Sequence, residues 1–310
     1  MAKFLGLIAF FLAAASTYEV AGHVFPETRA AVSLHGATTP FTTSTQADDT
    51  GRFTFKKLDP GTYTLAIFVP SRGEARQTIE IGPSSADSSG RVNLTIHLKD
   101  ADFAAEELSR RHAVSTRQLT VPDKALRAYE EAQKDLERRD TAAAIKHLEQ
   151  AVELAPQFSA AWNNLGTIAY QTRQWRRAED CFRQSLRQDP ASFEPLVNLG
   201  GVLVTLHKLD EAMDYNVRAV LTRPNDALAN GQLGMVYFEL GQFDQAVKYL
   251  ERARQTDPAH FSHPQLFLAE IHLRRGEKRE AAEVMEDFLS HHPDYPQAAK
   301  VRQNIEEWRK

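Results

Sequence analysis

The chain has 310 residues, with 37 Lys and Arg against 41 Asp and Glu, and a single cysteine. This balance, with no basic block of five or more residues, leaves no docking strip for a polyanion, so no nucleic acid is expected as a partner. One cysteine excludes an intramolecular disulfide, and the length suffices for two or three domains.

Residues 1–15 read as a secretory signal, with Lys3 in the n-region, an apolar run from Phe4 to Leu12, and Ala13-Ala14-Ala15 as cleavage site. The apolar run is shorter than the roughly 17–25 residues that span a bilayer. A membrane contact is therefore expected only if the segment stays uncleaved. Cys181 is far from the cleavage site, which argues against a lipid-modified N-terminus. Export without disulfides suits a bacterial envelope, periplasmic or secreted.

From residue 18 the pattern changes to short alternating runs rich in Val, Ile, Thr, Phe and Tyr. The expected strands are Tyr18–Phe25, Ala31–His35, Phe41–Thr45, Arg52–Phe55, Thr62–Val69, Ala75–Ile81 and Val92–Lys99. Turn signals such as Asp49-Thr50-Gly51 and Asp59-Pro60-Gly61 separate several of them. Seven short strands in 18–99 predict an antiparallel β-sandwich. Alternation in Thr62–Ile67 puts Tyr63, Leu65 and Ile67 on the core face. The stretch from Gly51 through Phe53, Phe55, Leu58, Pro60-Gly61 and Tyr63, with Val20–Val24 as opening strand, resembles the carboxypeptidase regulatory-like domain, a transthyretin-like sandwich. That resemblance implies a fold and no catalytic chemistry. Related sandwiches are grouped with carbohydrate-binding folds, so a glycan or cell-wall partner is the alternative functional reading.

Residues 100–122 read as a linker, with some helical character over 101–112. Beyond it proline recurs at Pro156, Pro190, Pro224, Pro258 and Pro293, with gaps of 34, 34, 34 and 35 residues. The same beat carries Ala144, Ala178, Ala212, Ala246 and Ala281, and also Ala132, Gly166, Gly200, Gly234 and Ala269. This period predicts an α-solenoid of helix pairs. Small residues such as Gly166 and Ala178 let paired helices approach closely, and each proline ends a second helix. Ala151, Ser185, Ala219 and Ala253 form a further small-residue row, replaced by Phe288 in the last unit. A closing helix over about Gln297–Trp308 covers the exposed end through Ala298, Val301, Ile305 and Trp308.

Trp162-Asn163-Asn164-Leu165-Gly166, followed by Tyr170, Ala178, Phe182 and Pro190, resembles the tetratricopeptide repeat, with five repeats over 123–294 and a cap over 295–310. The resemblance implies a concave groove lined by the first helix of each pair. Carried onto this chain, the candidate peptide-binding residues are Asn163, Asn164, Thr167, Tyr170, Asn198, Gln232, Met235 and Phe238. Asn164, Asn198 and Gln232 are spaced by 34 and are expected to stack as an amide ladder able to grip an extended backbone. The alternative is that these amides are a habit of the repeat and the apolar groups belong to the core between helices. Groove lysines and arginines that would clamp a terminal carboxylate are missing from the corresponding positions.

No phosphate-cradling glycine loop, G-x-S-x-G elbow or H-E-x-x-H pair occurs, so no enzyme is expected, and no cofactor. His260, His263, His272, His291 and His292 concentrate near helix ends and read as capping groups rather than metal ligands. Taken together, the sequence predicts an exported, non-enzymatic scaffold that holds a protein or peptide partner.

Overall fold

The computed structural model describes residues 17–70, 72–100, 103 and 120–310. The signal segment and, apart from Phe103, the helical character expected over 101–112 lie outside the described residues.

Strands β1 (Tyr18–Phe25), β2 (Ala30–Gly36), β3 (Thr42–Ala47), β4 (Arg52–Leu58), β5 (Gly61–Val69), β6 (Gly73–Ile81) and β7 (Arg91–His97) occupy the expected stretches. They form two sheets, in the orders β4-β1-β7 and β3-β2-β5-β6. One pair departs from the antiparallel expectation: β1 and β7 run parallel, with Val20 opposite Val92 and Val24 opposite Ile96. The cause is the connection after β6, which leaves one sheet and crosses to the other, so β7 enters beside β1 in the same sense. Alternation puts Val20, Val24, Val32, Leu34, Leu65 and Ile67 into the core between the sheets, with Phe53, Phe55 and Tyr63 filling it. Gly51 is required at the β3–β4 turn. Its φ is +73°, and a Cβ there would lie 2.4 Å from the carbonyl oxygen of Val24. At the β4–β5 turn the Tyr63 hydroxyl donates to the carbonyl of Asp59 at 2.8 Å.

Five helix pairs follow: α1 (Asp123–Glu137) with α2 (Thr141–Leu154), α3 (Ser159–Gln171) with α4 (Trp175–Gln188), α5 (Phe193–Thr205) with α6 (Leu209–Thr222), α7 (Ala227–Glu239) with α8 (Phe243–Thr256), and α9 (Pro264–Arg274) with α10 (Lys278–His291). Helix α11 (Ala298–Trp308) closes the array and buries Ala298, Val301 and Ile305 against it. In the second, third and fourth pairs the glycine of the first helix meets a larger residue of the second. A Cβ on Gly166 would sit 2.6 Å from the Phe182 ring, and one on Gly234 would sit 2.7 Å from Leu250. Ala151, Ser185, Ala219 and Ala253 are fully buried, as the row expected between helices. Phe288 takes that place in the last pair, enclosed by His263, His292 and Tyr295. Cys181 is buried on α4, and burial pushes its thiol up to about 11, so the expected inert thiol is what the fold contains.

Two further periodic devices hold the array. The residue that ends each first helix adopts a left-handed conformation, at Arg139, Arg173, His207, Gly241 and Gly276. It closes the helix end through bonds such as Arg173 N–H to the Tyr170 carbonyl and Gln174 N–H to the Ala169 carbonyl. The carbonyls of four helix-stopping prolines are also satisfied. Trp162 Nε1 donates to Pro156, Asn230 Nδ2 to Pro224 and Gln265 Nε2 to Pro258 at 2.9, 2.9 and 2.7 Å. Pro190 is served instead by Arg218 at 3.4 Å, because its pair carries Leu196 where the others carry a donor.

The third pair contains a local conflict. Asn216 stands where the other pairs place Phe182 and Leu250, fully buried against Gly200, with neither Nδ2 nor Oδ1 hydrogen-bonded. Unpaired buried polar groups cost on the order of 1–3 kcal/mol. Asn216→Leu, matching the Gly234–Leu250 contact, is expected to raise Tm in thermal unfolding by about 2–12 °C, at roughly 2–4 °C per kcal/mol for a domain of this size. Gly200→Ala, which forces a Cβ against Asn216, should lower it.

Candidate functional site

The candidate groove residues all stand on first helices, where rigid backbone positions them. Asn163, Asn164 and Thr167 are half-buried on α3, and Tyr170 near its end is 38 % exposed. Asn198 is half-buried on α5, as are Met235 and Phe238 on α7. The expected ladder of Asn164, Asn198 and Gln232 takes a different form. Asn198 Nδ2 donates to Asn163 Oδ1 at 3.3 Å, whereas Asn164 Nδ2 turns to the Tyr129 hydroxyl of the first pair at 3.0 Å. Gln232 is 9 % exposed and lies against Gly201, and its Oε1 has no hydrogen-bond partner. The reason is the drop to glycine at Gly201, which opens space that the longer Gln232 side chain enters. Thr167 is satisfied within its own helix by the Asn163 carbonyl at 3.1 Å. The aromatic candidates divide their surface between groove and core. Tyr170 meets the edge of Trp175 at 5.1 Å, and Phe238 lies between Phe243 and Phe267 with Arg274 over its face.

The structure adds a partner for this face that the sequence reading did not foresee, the chain's own β-sandwich. At the first pair Glu137 accepts from the Thr43 hydroxyl at 2.7 Å, while Arg139 pairs with Asp59 at 2.7 Å and covers the Phe41 ring. At the second, Gln171 Nε2 donates to the carbonyl of Gly36 at 2.9 Å. At the third, Glu194 accepts from Arg76 at 3.0 Å and from Arg223 at 3.3 Å. Burial works against the Glu194 charge, but the two guanidiniums hold its carboxyl below the usual carboxylate range. After the fourth pair the Asp257 carboxylate accepts the backbone N–H of Thr78 at 2.9 Å. After the fifth, His292 pairs with Glu80, and Asp294 accepts from the backbone and hydroxyl of Ser84 at 3.1 and 2.6 Å. The solenoid side of these contacts comes from first helices and from the loops that follow either helix of a pair. The sandwich therefore rests on the ends of the first helices and on these loops, beside the candidate residues.

The histidines expected as capping groups divide in two. His291 Nδ1 bonds the Asp287 carbonyl at 2.9 Å at the end of α10, which is a capping role, and His272 pairs with the Glu277 side chain at 2.7 Å at the end of α9. His260, His263 and His292 instead gather beneath the sandwich, with the rings of His263 and His292 4.5 Å apart. His263 Nδ1 and His292 Nε2 are buried and unpaired. Among the described residues no group of three or more His, Cys, Asp or Glu is arranged to hold a metal ion. Nor is any described helix long and apolar enough to cross a membrane.

Comparison with known proteins bears on the helical part. Models described as "Tetratricopeptide repeat" match residues 129–190, 165–228 and 237–305. The human cell division cycle protein 16 homolog is 31 % identical over 119 residues, covering 36 % of this chain and 19 % of that protein. Anaphase-promoting complex subunit 7 of Arabidopsis thaliana is 26 % identical over 170 residues, 54 % of this chain and 30 % of its own length. The chain thus spans less than a third of the length of either relative. Among solved structures, PilW, described as a type IV pilus biogenesis factor, aligns with a TM-score of 0.51 at 23 % identity, covering 60 % of this chain and 91 % of that one. MamA from Desulfovibrio magneticus RS-1 aligns with a TM-score of 0.50 at 20 % identity, covering 56 % and 98 %. At these identities the likeness is one of fold.

The buried histidines make stability sensitive to acid. Burial lowers His260 from an ordinary 6.5 to about 3 and His263 to about 4. Above pH 6.5 both rings are neutral, folded or unfolded; below it the unfolded chain takes up protons that the folded rings refuse. Tm is expected to fall as pH drops from about 6.5 toward 4, with Asp257, whose carboxyl burial raises, offsetting part of the loss at the acid end. His260→Asn and His263→Asn should flatten that fall in thermal melts across this range. Asparagine also tolerates the left-handed φ of 49° at residue 263.

Proposed function

Because the helical part of this chain belongs to the tetratricopeptide-repeat family over residues 129–228 and 237–305, we propose that the protein is an exported, non-enzymatic scaffold that holds an extended segment of a protein partner along its first-helix face. The observation that supports this most is the set of amides at Asn163, Asn164 and Asn198. Three amides from two neighbouring pairs are held on rigid helices, half-exposed. Among the described residues Asn164 Oδ1 and Asn198 Oδ1 carry no hydrogen bond. An extended backbone presents an N–H at alternate positions on one side, which is what such acceptors take. Tyr170, Met235 and Phe238 offer apolar surface for its side chains.

Tetratricopeptide-repeat proteins act as scaffolds for protein–protein interaction, and the relatives favour a protein partner over a glycan. In this reading the sandwich is of the carboxypeptidase regulatory-like type. Gly51, Phe53, Phe55, Leu58 and Tyr63 stand at its turns and in its core and serve the fold rather than chemistry. The signal-like residues 1–15 place the protein, in this proposal, in the cell envelope, periplasmic or secreted.

The test is crosslinking of the tagged mature protein in its native host. Asn164→Ala with Asn198→Ala should reduce partner recovery at least about tenfold, the loss of roughly 1.4 kcal/mol of binding. Far-UV dichroism should stay unchanged. Undiminished recovery would reject the groove as the site. N-terminal sequencing of the same material checks export, with a start after Ala15 as the expected result.

A further inference from the structure

Edge strand β6 lies on the solenoid in the manner of a bound peptide. Its outward positions Arg76, Thr78 and Glu80, two residues apart, are each taken by a different part of the array. Arg76 meets Glu194 at the start of α5, the Thr78 N–H meets Asp257 after α8, and Glu80 meets His292 after α10. Beyond the strand, the Ser84 N–H and hydroxyl both go to Asp294, and Gly82 permits the approach, since a Cβ there would lie 2.7 Å from that carboxylate. β6 is the edge of its sheet, so the Thr78 N–H points away from β5 and is free to be read by the solenoid. Two of these contacts read backbone rather than side chains, which is how a groove holds an extended chain of any sequence. The docking is also separable. The apolar core of the sandwich and the three apolar clusters of the helices share no residue, and hydrogen bonds, ion pairs and the Arg139–Phe41 contact join the two parts.

We propose that β6 and the turn after it are an internal pseudo-ligand. Their site, formed by Glu194, Asp257, His292 and Asp294, takes an extended polypeptide with a cation, a free backbone N–H and a carboxylate at successive alternate positions. An external segment of that kind gains the site only when the sandwich lets go. This goes beyond the groove reading above, because its site shares no residue with the amides of that reading. A site that is occupied internally most of the time shows an affinity reduced by the fraction of molecules in which it is open.

The probe is a fluorescent synthetic peptide of residues 73–85, titrated against the full-length protein by anisotropy. Two variants release the sandwich without touching the site. One is Arg76→Ala with Glu80→Ala. The other is Thr78→Pro, which removes the outward N–H of an edge strand together with the hydroxyl that also bonds Asp257. Release is read as an increased radius of gyration in small-angle scattering, with strand content retained in dichroism. The peptide is expected to bind a released variant at least about tenfold tighter than wild type. That gain should vanish when Asp257→Ala and His292→Ala are added. Equal affinity for wild type and a released variant overturns the proposal, and so does an unchanged radius of gyration in both variants. If either failure occurs while Asn164→Ala with Asn198→Ala still abolishes partner capture, the pseudo-ligand falls and the groove reading stands. If capture is indifferent to those asparagines while the peptide binds a released variant more tightly as expected, the groove reading falls and the pseudo-ligand stands.

Discussion

The architecture depends on how closely two antiparallel helices can approach. At Ala132, Gly166, Gly200, Gly234 and Ala269 the first helix of each pair presents almost no side chain, so the second helix lies against its backbone. Everything at larger scale follows from repeating that contact. Each pair buries one face internally and leaves another for its neighbour, so the array gains stability by length and needs α11 at its end. The first helices end up side by side, which creates the continuous face on which every candidate binding residue stands.

The array tolerates one break in this scheme. The third pair sets Asn216 against Gly200 and lets Gln232 of the fourth lean on Gly201, so two buried amides sit beside adjacent glycines with oxygens unpaired. Their neighbours compensate by ion pairs that stitch the second pair to the third. Burial opposes the Glu179 charge, yet Lys208 and Arg183 hold its carboxyl below the usual range, and Arg183 also reaches Glu211 at 2.5 Å. These charges add to an apolar cluster that runs through Phe182, Leu199, Leu203 and Val236.

A different balance governs the contact between the two parts. Sandwich and solenoid each close an apolar core of their own, so docking is left to polar groups that water satisfies almost as well. Exposed ion pairs of this kind contribute about 0–1 kcal/mol each. Asp257 and His292 differ from the rest in being nearly inaccessible. A ligand with modest preference for the open face can shift such an equilibrium, which a shared apolar core would forbid.

Much of this was legible in the residues themselves. Alternation located all seven strands and periodicity all five pairs, because both report local backbone geometry and which face is buried. Cys181, Phe288 and the cap at Ala298, Val301 and Ile305 were readable for the same reason. The left-handed residue at the end of each first helix was missed, although Gly241 and Gly276 mark it, because Arg139, Arg173 and His207 carry no such mark. The parallel pairing of β1 with β7 and the diversion of Asn164 to Tyr129 depend on which sheet a chain crosses to and which neighbour a side chain reaches first. Spacing in sequence determined the repeats and the row of candidate amides. Only the tertiary structure decided that the sandwich docks on the helix ends and loops beside that row. Its contacts, such as Thr78 with Asp257 and Glu80 with His292, join residues 179 and 212 apart, and no local pattern encodes a pairing between two surfaces that are each already stable in water.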